Sequence, residues 1–303
     1  MRIEHRATLK EDGQKLYNLL KGPMGLSSRL ITRLKQTQGI SINGSSARTI
    51  DIVHEGDIIC AALPEAEDNH ILAEDIPLSI LFEDDALIAV NKPPLMAVHP
   101  TSGHQSGTLA NGLHGYFTGK GLSLKIRPVN RLDRDTTGVT LFAKNPYVQE
   151  QLIRQMKENR VEKVYAGVVH GAFDFPSGTI NLPIARKPGS LMERIIDPAG
   201  DCSITHYETL QKGDELSLVR FWLETGRTHQ IRVHCRAMGH PLLGDWLYSD
   251  QPTDKISRQA LHACRLSFTH PLSKERLTIN APLPEDMAAL LRLYIGADGL
   301  KML

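Results

Sequence analysis

The chain has 303 residues, 23% of them charged, and a formal net charge of +1. That length suits about two domains with a sizeable core. The near-neutral total excludes a uniformly basic nucleic-acid sponge, though local basic patches can still meet phosphate. The four cysteines, Cys60, Cys202, Cys235 and Cys264, are far apart and form no Cys-x-x-Cys pair. Their spacing argues against a zinc site or a disulfide framework and suits a reducing compartment. The start, Met1 to Arg6, lacks the apolar core of a signal peptide. No apolar run approaches the roughly 18 residues of a membrane span. The expectation is a soluble, cytoplasmic protein, monomeric and without a membrane partner.

Residues from about Lys15 to Ala62 form a compact unit. Ser27 or Ser28 can cap a helix with Leu30, Ile31 and Leu34 on one face and Gly39 as its stop signal. Arg29, Arg33 and Lys35 then lie largely off that face, as a basic solvent side. A strand at Ile40 to Ile42 leads into Asn43-Gly44, a strong hairpin turn signal. A strand at Ile50 to Val53, the turn Glu55-Gly56-Asp57 and a strand at Ile58 to Ala61 complete the unit. This helix, Asn-Gly turn and Gly-Asp ending resemble the small RNA-binding domain of ribosomal protein S-four over about fifty residues, which implies RNA binding. The plainer alternative is an amphipathic helix and hairpin whose charged face is only solvated.

Pro64 to Pro77 is acidic, with Glu65, Glu67, Asp68, Glu74 and Asp75, and poor in bulky residues; it reads as a linker that would repel phosphate. The expected division is therefore residues 1–70 and 71–303. The larger part opens with strands at Ile80 to Glu83 and Leu87 to Val90, broken by Lys92-Pro93-Pro94. His99 and His104 follow without carboxylate or cysteine at a matching interval, so loop histidines are a better reading than metal ligands. Leu109, Leu113 and Phe117 recur at helical spacing and should supply core.

Next comes Pro128-Val129-Asn130-Arg131-Leu132-Asp133-Arg134-Asp135-Thr136-Thr137-Gly138, then the apolar strand Val139 to Ala143. Two cations beside one carboxylate favour its charged form, and a carboxylate on a loop backed by a strand is a candidate nucleophile. The bland alternative is a turn-capping aspartate paired with surface arginines. Asn145 and Pro146 open a helix with the stripe Val148, Leu152 and Met156, and Glu150 and Arg154 at i,i+4. Lys157, Arg160 and Lys163 make a basic cluster beyond it. Lys163 to Gly171 alternates as a strand, with Tyr165 on the face opposite Val164. Ser203 to Leu210 and Leu216 to Leu223 are further antiparallel strands. The second feeds Glu224-Thr225-Gly226-Arg227-Thr228-His229-Gln230-Ile231-Arg232-Val233-His234, which puts Arg227 at a strand-to-helix junction suited to an anion. Leu261 to Phe268 and Arg276 to Ile279 close the sheet. Glu285 to Tyr294 is a terminal helix with Met287, Leu290, Leu291 and Tyr294 inward.

The stretches around Asp133 and Arg227 together resemble the signature motifs of the RluA-type family of pseudouridine synthases. The second matches without a gap. The first departs at Asn130, where the family usually has His, and at Thr137, where it usually has Ser; the first change loses a titratable ring. The Lys92-Pro93 to His99-Pro100 piece, Lys163-x-Tyr165 and the loop Gly239 to Asp245 also occur in the family. The resemblance spans most of residues 80 to 280. It implies an α+β fold: a mainly antiparallel mixed sheet with flanking helices and a central catalytic cleft, plus a small amino-terminal α/β RNA-binding domain. It implies Asp133 as nucleophile on a flipped-out uridine. Arg227 would pair with that carboxylate, Arg131 would wedge into the vacated stack, and Tyr165 would lie against the uracil. The isomerisation needs neither cofactor nor metal. Large ribosomal RNA is the favoured partner, with transfer RNA as the alternative. A non-catalytic RNA-binding module, or a two-carboxylate glycosidase, are rivals that Asp133 between two arginines fits less well.

Overall fold

The computed structural model describes residues 1–63, 70–101 and 105–296. The acidic residues Glu65, Glu67 and Asp68, and His104, lie outside the described residues.

The first unit contains β1 (Arg2–Arg6), α1 (Leu16–Lys21), α2 (Ser28–Gln36), β2 (Ile40–Ile42), β3 (Ser45–Ser46) and β4 (Ile58–Ala62). The strands form a four-stranded sheet in the order β1-β4-β2-β3. Ser27 caps α2, its hydroxyl accepting from the Leu30 amide at 3.1 Å, and Leu30, Ile31 and Leu34 are buried as the spacing requires. Asn43 and Gly44 both take positive φ in the β2–β3 turn. The strand expected at Ile50 to Val53 is absent. Ile50 and Ile52 are exposed, and only an isolated bridge from Ile52 to Lys15 remains, so Val53 alone is inward. β1 and α1 went unread because β1 alternates charged residues with only one aliphatic.

The second unit runs β5 (Ile80–Glu83), β6 (Leu87–Lys92), α3 (Leu109–Gly119), β7 (Arg127–Pro128), β8 (Thr137–Ala143), α4 (Pro146–Lys157) and β9 (Glu162–His170). It continues through β10 (Ser177–Asn181), β11 (Ile184–Arg186), β12 (Arg194–Ile196), β13 (Ile204–Lys212) and β14 (Leu216–Leu223). It ends with α5 (Gln230–Ala237), β15 (Leu261–Thr269), β16 (Arg276–Asn280) and α6 (Glu285–Leu290). Ten strands make one sheet along the path β10-β13-β14-β9-β15-β8-β6-β5, with β16 on β15 and β7 on β8. Every pairing is antiparallel except β15 with β8, where His262 faces Thr137 and Ala263 faces Gly138. That join needs a glycine. Gly138 has φ +112°, and a Cβ there would lie 2.2 Å from the Ala263 carbonyl oxygen. The fold is thus α+β with a mixed, mainly antiparallel sheet.

Asn145 caps α4 through the Val148 amide, and Leu109, Leu113 and Phe117 of α3 are buried as core. Arg154 does not pair with Glu150 as the spacing suggested; with Gln151 it donates to the Gly25 carbonyl, at 3.1 and 2.8 Å. Those bonds tie α4 to the turn before α2. Leu26 and Ile31 share one apolar cluster with Val148, Leu152 and Phe268, so the two units are packed against each other. The terminal helix also departs from expectation. It widens to a π turn over Leu291–Ile295, which buries Ile295 and leaves Tyr294 exposed.

Candidate active site

β7 and β8 are antiparallel neighbours, and the loop joining them carries Arg131, Asp133 and Arg134. Its shape is held by backbone clamps. Asn130 accepts from the Leu141 amide at 2.7 Å and donates to the Val139 carbonyl at 3.1 Å. Both edges of that amide are used on β8, so Asn130 has a structural job and faces no reacting atom. Lys92, fully buried, donates to the carbonyls of Pro93, Met96 and Arg134 at 2.7–2.8 Å. Burial pushes its ammonium down to about 7, against the pull of Asp135 and Asp133. Arg258, also buried, donates to the Asp135 carbonyl while Asp286 holds it with two bonds of 2.7 and 2.9 Å. Thr137 keeps its hydroxyl bonded to His262 Nδ1 at 2.9 Å.

These clamps present Asp133 to a pocket of about 80 Å³, whose lining includes Arg131, Tyr165, Arg227, His229 and Arg232. The four residues singled out from the sequence therefore do meet. Their pairing is another matter. The cation on Asp133 is Arg232, whose Nη1 lies 3.3 Å from Asp133 Oδ2. Arg227 points outward, its Nε donating to the Cys202 carbonyl at 3.3 Å and its Nη1 3.7 Å from Asp201. The expected Arg227–Asp133 pair is corrected accordingly. The reason lies in the local chain. Gln230 Oε1 accepts from the Arg227 amide at 3.0 Å and closes a turn, His229 takes φ 60°, and α5 then starts so that Arg232 projects inward.

Arg232 is aimed from behind. Asp245, fully buried, accepts from its Nε and Nη2, both at 2.7 Å, and the Tyr248 ring lies 4.9 Å from the guanidinium carbon. Burial works against the charge on Arg232, but Asp245 and Asp133 outweigh it and raise its pKa. Two carboxylates on one planar fork leave it little freedom to move.

His229 is the second group missed in the sequence. Its Nε2 is 3.9 Å from Asp133 Oδ2, and burial lowers its pKa, so the ring is neutral. Tyr248 OH accepts from the Arg194 amide at 2.8 Å and bonds His229 Nδ1 at 2.8 Å. Among the described residues His229 Nδ1 is the one acceptor in reach of the Tyr248 hydroxyl proton, so the hydroxyl donates to Nδ1 and the proton of His229 is assigned to Nε2, facing Asp133. Tyr165, on β9 opposite Phe221 of β14, forms the apolar wall. Burial, with the Asp133 charge beside it, keeps its hydroxyl protonated. The pocket is smaller than the ~300 Å³ of most ligand sites. Its exposed wall is formed by the arginines Arg131 and Arg227. Among the described residues, no three His, Cys, Asp or Glu side chains converge as a metal site, and no helix is long and apolar enough to cross a membrane.

The fold is shared with a solved pseudouridine synthase structure. The human RNA pseudouridylate synthase domain containing 1 superposes with a TM-score of 0.60 at 28% identity, covering 74% of this chain and 90% of that one. The family described as RNA pseudouridylate synthase matches residues 86–237. The RNA pseudouridine synthase YjbO of Bacillus subtilis is 41% identical over 273 residues, 89% of this chain and 96% of that protein. Ribosomal large subunit pseudouridine synthase D of Nitrosomonas europaea is 38% identical, over 89% of this chain and 80% of that protein. The chain belongs to the RluA-type family of RNA pseudouridine synthases and is an isomerase.

Proposed function

We propose that the protein isomerises uridines of large-subunit ribosomal RNA to pseudouridine, with Asp133 as the nucleophile on a flipped-out uridine. The observation that carries the reading is the ion pair of Asp133 with Arg232 inside the pocket, 3.3 Å apart and backed by Asp245. A charged carboxylate fixed in direction by a guanidinium is ready to attack, whereas a pure binding module has no use for a carboxylate beside phosphates. Tyr165 supplies a flat apolar face for the extruded uracil, and Arg131, exposed at the mouth, fills the stack the base leaves. Arg227 contacts the RNA at the rim. Ribosomal RNA is favoured by the large-subunit activity for which the Nitrosomonas relative is named and by the appended unit of residues 1–70, which we assign to RNA binding.

Asp133→Asn keeps the shape and removes the nucleophile. Tritium release from uracil-labelled RNA should fall more than about 10³-fold while RNA affinity holds. Normal turnover in that variant ends the assignment. Comparing unmodified ribosomal and transfer RNA transcripts as substrates decides between the two targets.

A further inference from the structure

His229 brings to the Asp133 pocket a donor that has no partner there. Among the described residues its Nε2–H meets no acceptor nearer than Asp133 Oδ2 at 3.9 Å, beyond hydrogen-bond reach. Two other polar groups of the lining are already engaged. Arg232 has all three nitrogens on carboxylates, Nε and Nη2 on Asp245 and Nη1 on Asp133. The Gln230 amide accepts from the Arg227 amide and the Thr225 hydroxyl, and donates to the Ile204 carbonyl and the Thr205 hydroxyl. The direction of the His229 donor is set from its far side. Tyr248, 2% exposed, gives its hydroxyl proton to His229 Nδ1 and accepts from the Arg194 amide at the start of β12, both at 2.8 Å. The two rings also meet edge-on, 5.6 Å apart. The His229 backbone takes φ 60°, a left-handed conformation that costs an L-residue free energy and collects at functional sites. Burial keeps the ring neutral, so it does not compete with Arg232 for the charge of Asp133.

We propose that His229 is a catalytic residue, its Nε2–H donating to the base carbonyl beside the glycosidic bond: O2 of the uridine as it arrives, and O4 once the base has turned. This rests on the reading that Asp133 attacks a flipped-out uridine. Breaking N1–C1′ leaves the electron pair on N1 and, by conjugation, on O2. With the glycosidic bond against Asp133 Oδ2, O2 is the nearer of the two base carbonyls, because its carbon is bonded to N1. The 3.9 Å between Oδ2 and Nε2 accommodates both contacts at once. Uracil then turns about the line through N3 and C6, which exchanges N1 with C5 and O2 with O4. The electron pair that forms C5–C1′ comes from the enolate of C4 and O4, and O4 now stands before the same donor. One fixed N–H therefore stabilises charge in both halves of the reaction. It gives up no proton: the proton lost from C5 and the one gained by N1 balance, and His229 ends as it began. Tyr248 is a positioning residue that acts through His229.

The first test needs no substrate. With the histidine nitrogens isotopically labelled in the full chain, NMR of the His229 ring should show the proton on Nε2 alone in wild type and a mixture of tautomers in Tyr248→Phe. A proton on Nδ1 in wild type overturns the proposal, whatever the RNA. Turnover on an unmodified large-subunit ribosomal transcript is then read as pseudouridine in the digested RNA. His229→Phe keeps a ring and loses the donor, so kcat should fall about 10²-fold or more with KM nearly unchanged. His229→Gln puts an N–H back at the end of the side chain and should recover about tenfold of that loss. Tyr248→Phe should slow the wild-type enzyme several-fold and add nothing to His229→Gln, because an amide has no tautomer to set. A transcript built with 2-thiouridine offers sulfur, a weak acceptor, in place of O2. It should slow wild type about tenfold more than it slows His229→Phe, since any change in RNA folding is common to both enzymes. Should His229→Phe not fold, Tyr248→Phe, which keeps its buried ring, takes its place in the sulfur comparison. Equal slowing of the two enzymes by sulfur, or wild-type kcat in His229→Phe, overturns the proposal. No pseudouridine from wild type on the ribosomal transcript would strike that target instead, and the same variants are then compared on transfer RNA. Activity in Asp133→Asn would strike the nucleophile and leave the donor comparison standing.

Discussion

Asp245 never touches the pocket, yet Asp245→Asn should disable it. The carboxylate is fully buried and gives Arg232 two bonds of 2.7 Å, while Arg232 is itself 5% exposed. Asparagine is the same size but neutral, and only one of its terminal atoms accepts. The guanidinium would be left buried with its principal counter-charge gone, a loss of about 3–5 kcal/mol when one partner of such a pair is removed. Against a total stability of about 5–15 kcal/mol, the protein should still fold. At about 2 °C or more per kcal/mol for a chain this long, Tm should drop by roughly 6–10 °C. The consequence for turnover is separate. Freed from Asp245, Arg232 no longer holds Asp133 in one direction, and loss of one such electrostatic partner lowers kcat by about 10²–10³. Thermal unfolding and single-turnover tritium release measure the two effects. The double variant Asp245→Asn, Arg232→Met should be less unstable than the sum of the single ones, because it leaves no unpaired buried charge. An Asp245→Asn protein with wild-type Tm and kcat would refute the account of how Arg232 is aimed.

Two further outcomes follow from buried groups. His262 is fully buried, and burial, helped by the Arg258 charge and opposed by the Ala281 carbonyl bond and Asp286, pushes it down to about 4. Below pH ~6.5 the unfolded chain takes up a proton that the folded one refuses until about 4, so stability is full above that window and falls as pH drops through it. The loss reaches roughly 3 kcal/mol. His229 and His234, also lowered by burial, add with the same sign. Urea unfolding at several pH values in this range should show that slope, and His262→Gln should flatten it; an unchanged slope would count against a neutral buried ring. Lys92→Met removes the donor to three carbonyls, one of them that of Arg134 beside the nucleophile. The loosened loop should cost about tenfold or more in kcat with little change in RNA affinity, a split read from single-turnover kinetics; a weakened affinity with normal kcat would be the contrary result.

Local chemistry made much of this molecule legible in advance. Ser27 and Asn145 are caps whose side chains do what cap residues do, and the Asn43-Gly44 turn needs only two positive φ angles. That Asp133 and Arg227 line one pocket was legible because the two stretches around them together resemble paired motifs of one family; the carboxylate between two arginines, taken alone, reads as a turn cap. Only the tertiary structure could decide which arginine meets the carboxylate. Periodicity assigns inward faces from apolar residues, but Gln230 to Cys235 are all buried, so α5 has no polar face from which to infer that Arg232 turns in. Asp245 and Lys92 were hidden for a related reason. Their partners are a guanidinium thirteen residues away and a carbonyl forty-two residues away, and such contacts exist only once Gly138 has let β8 lie against β15.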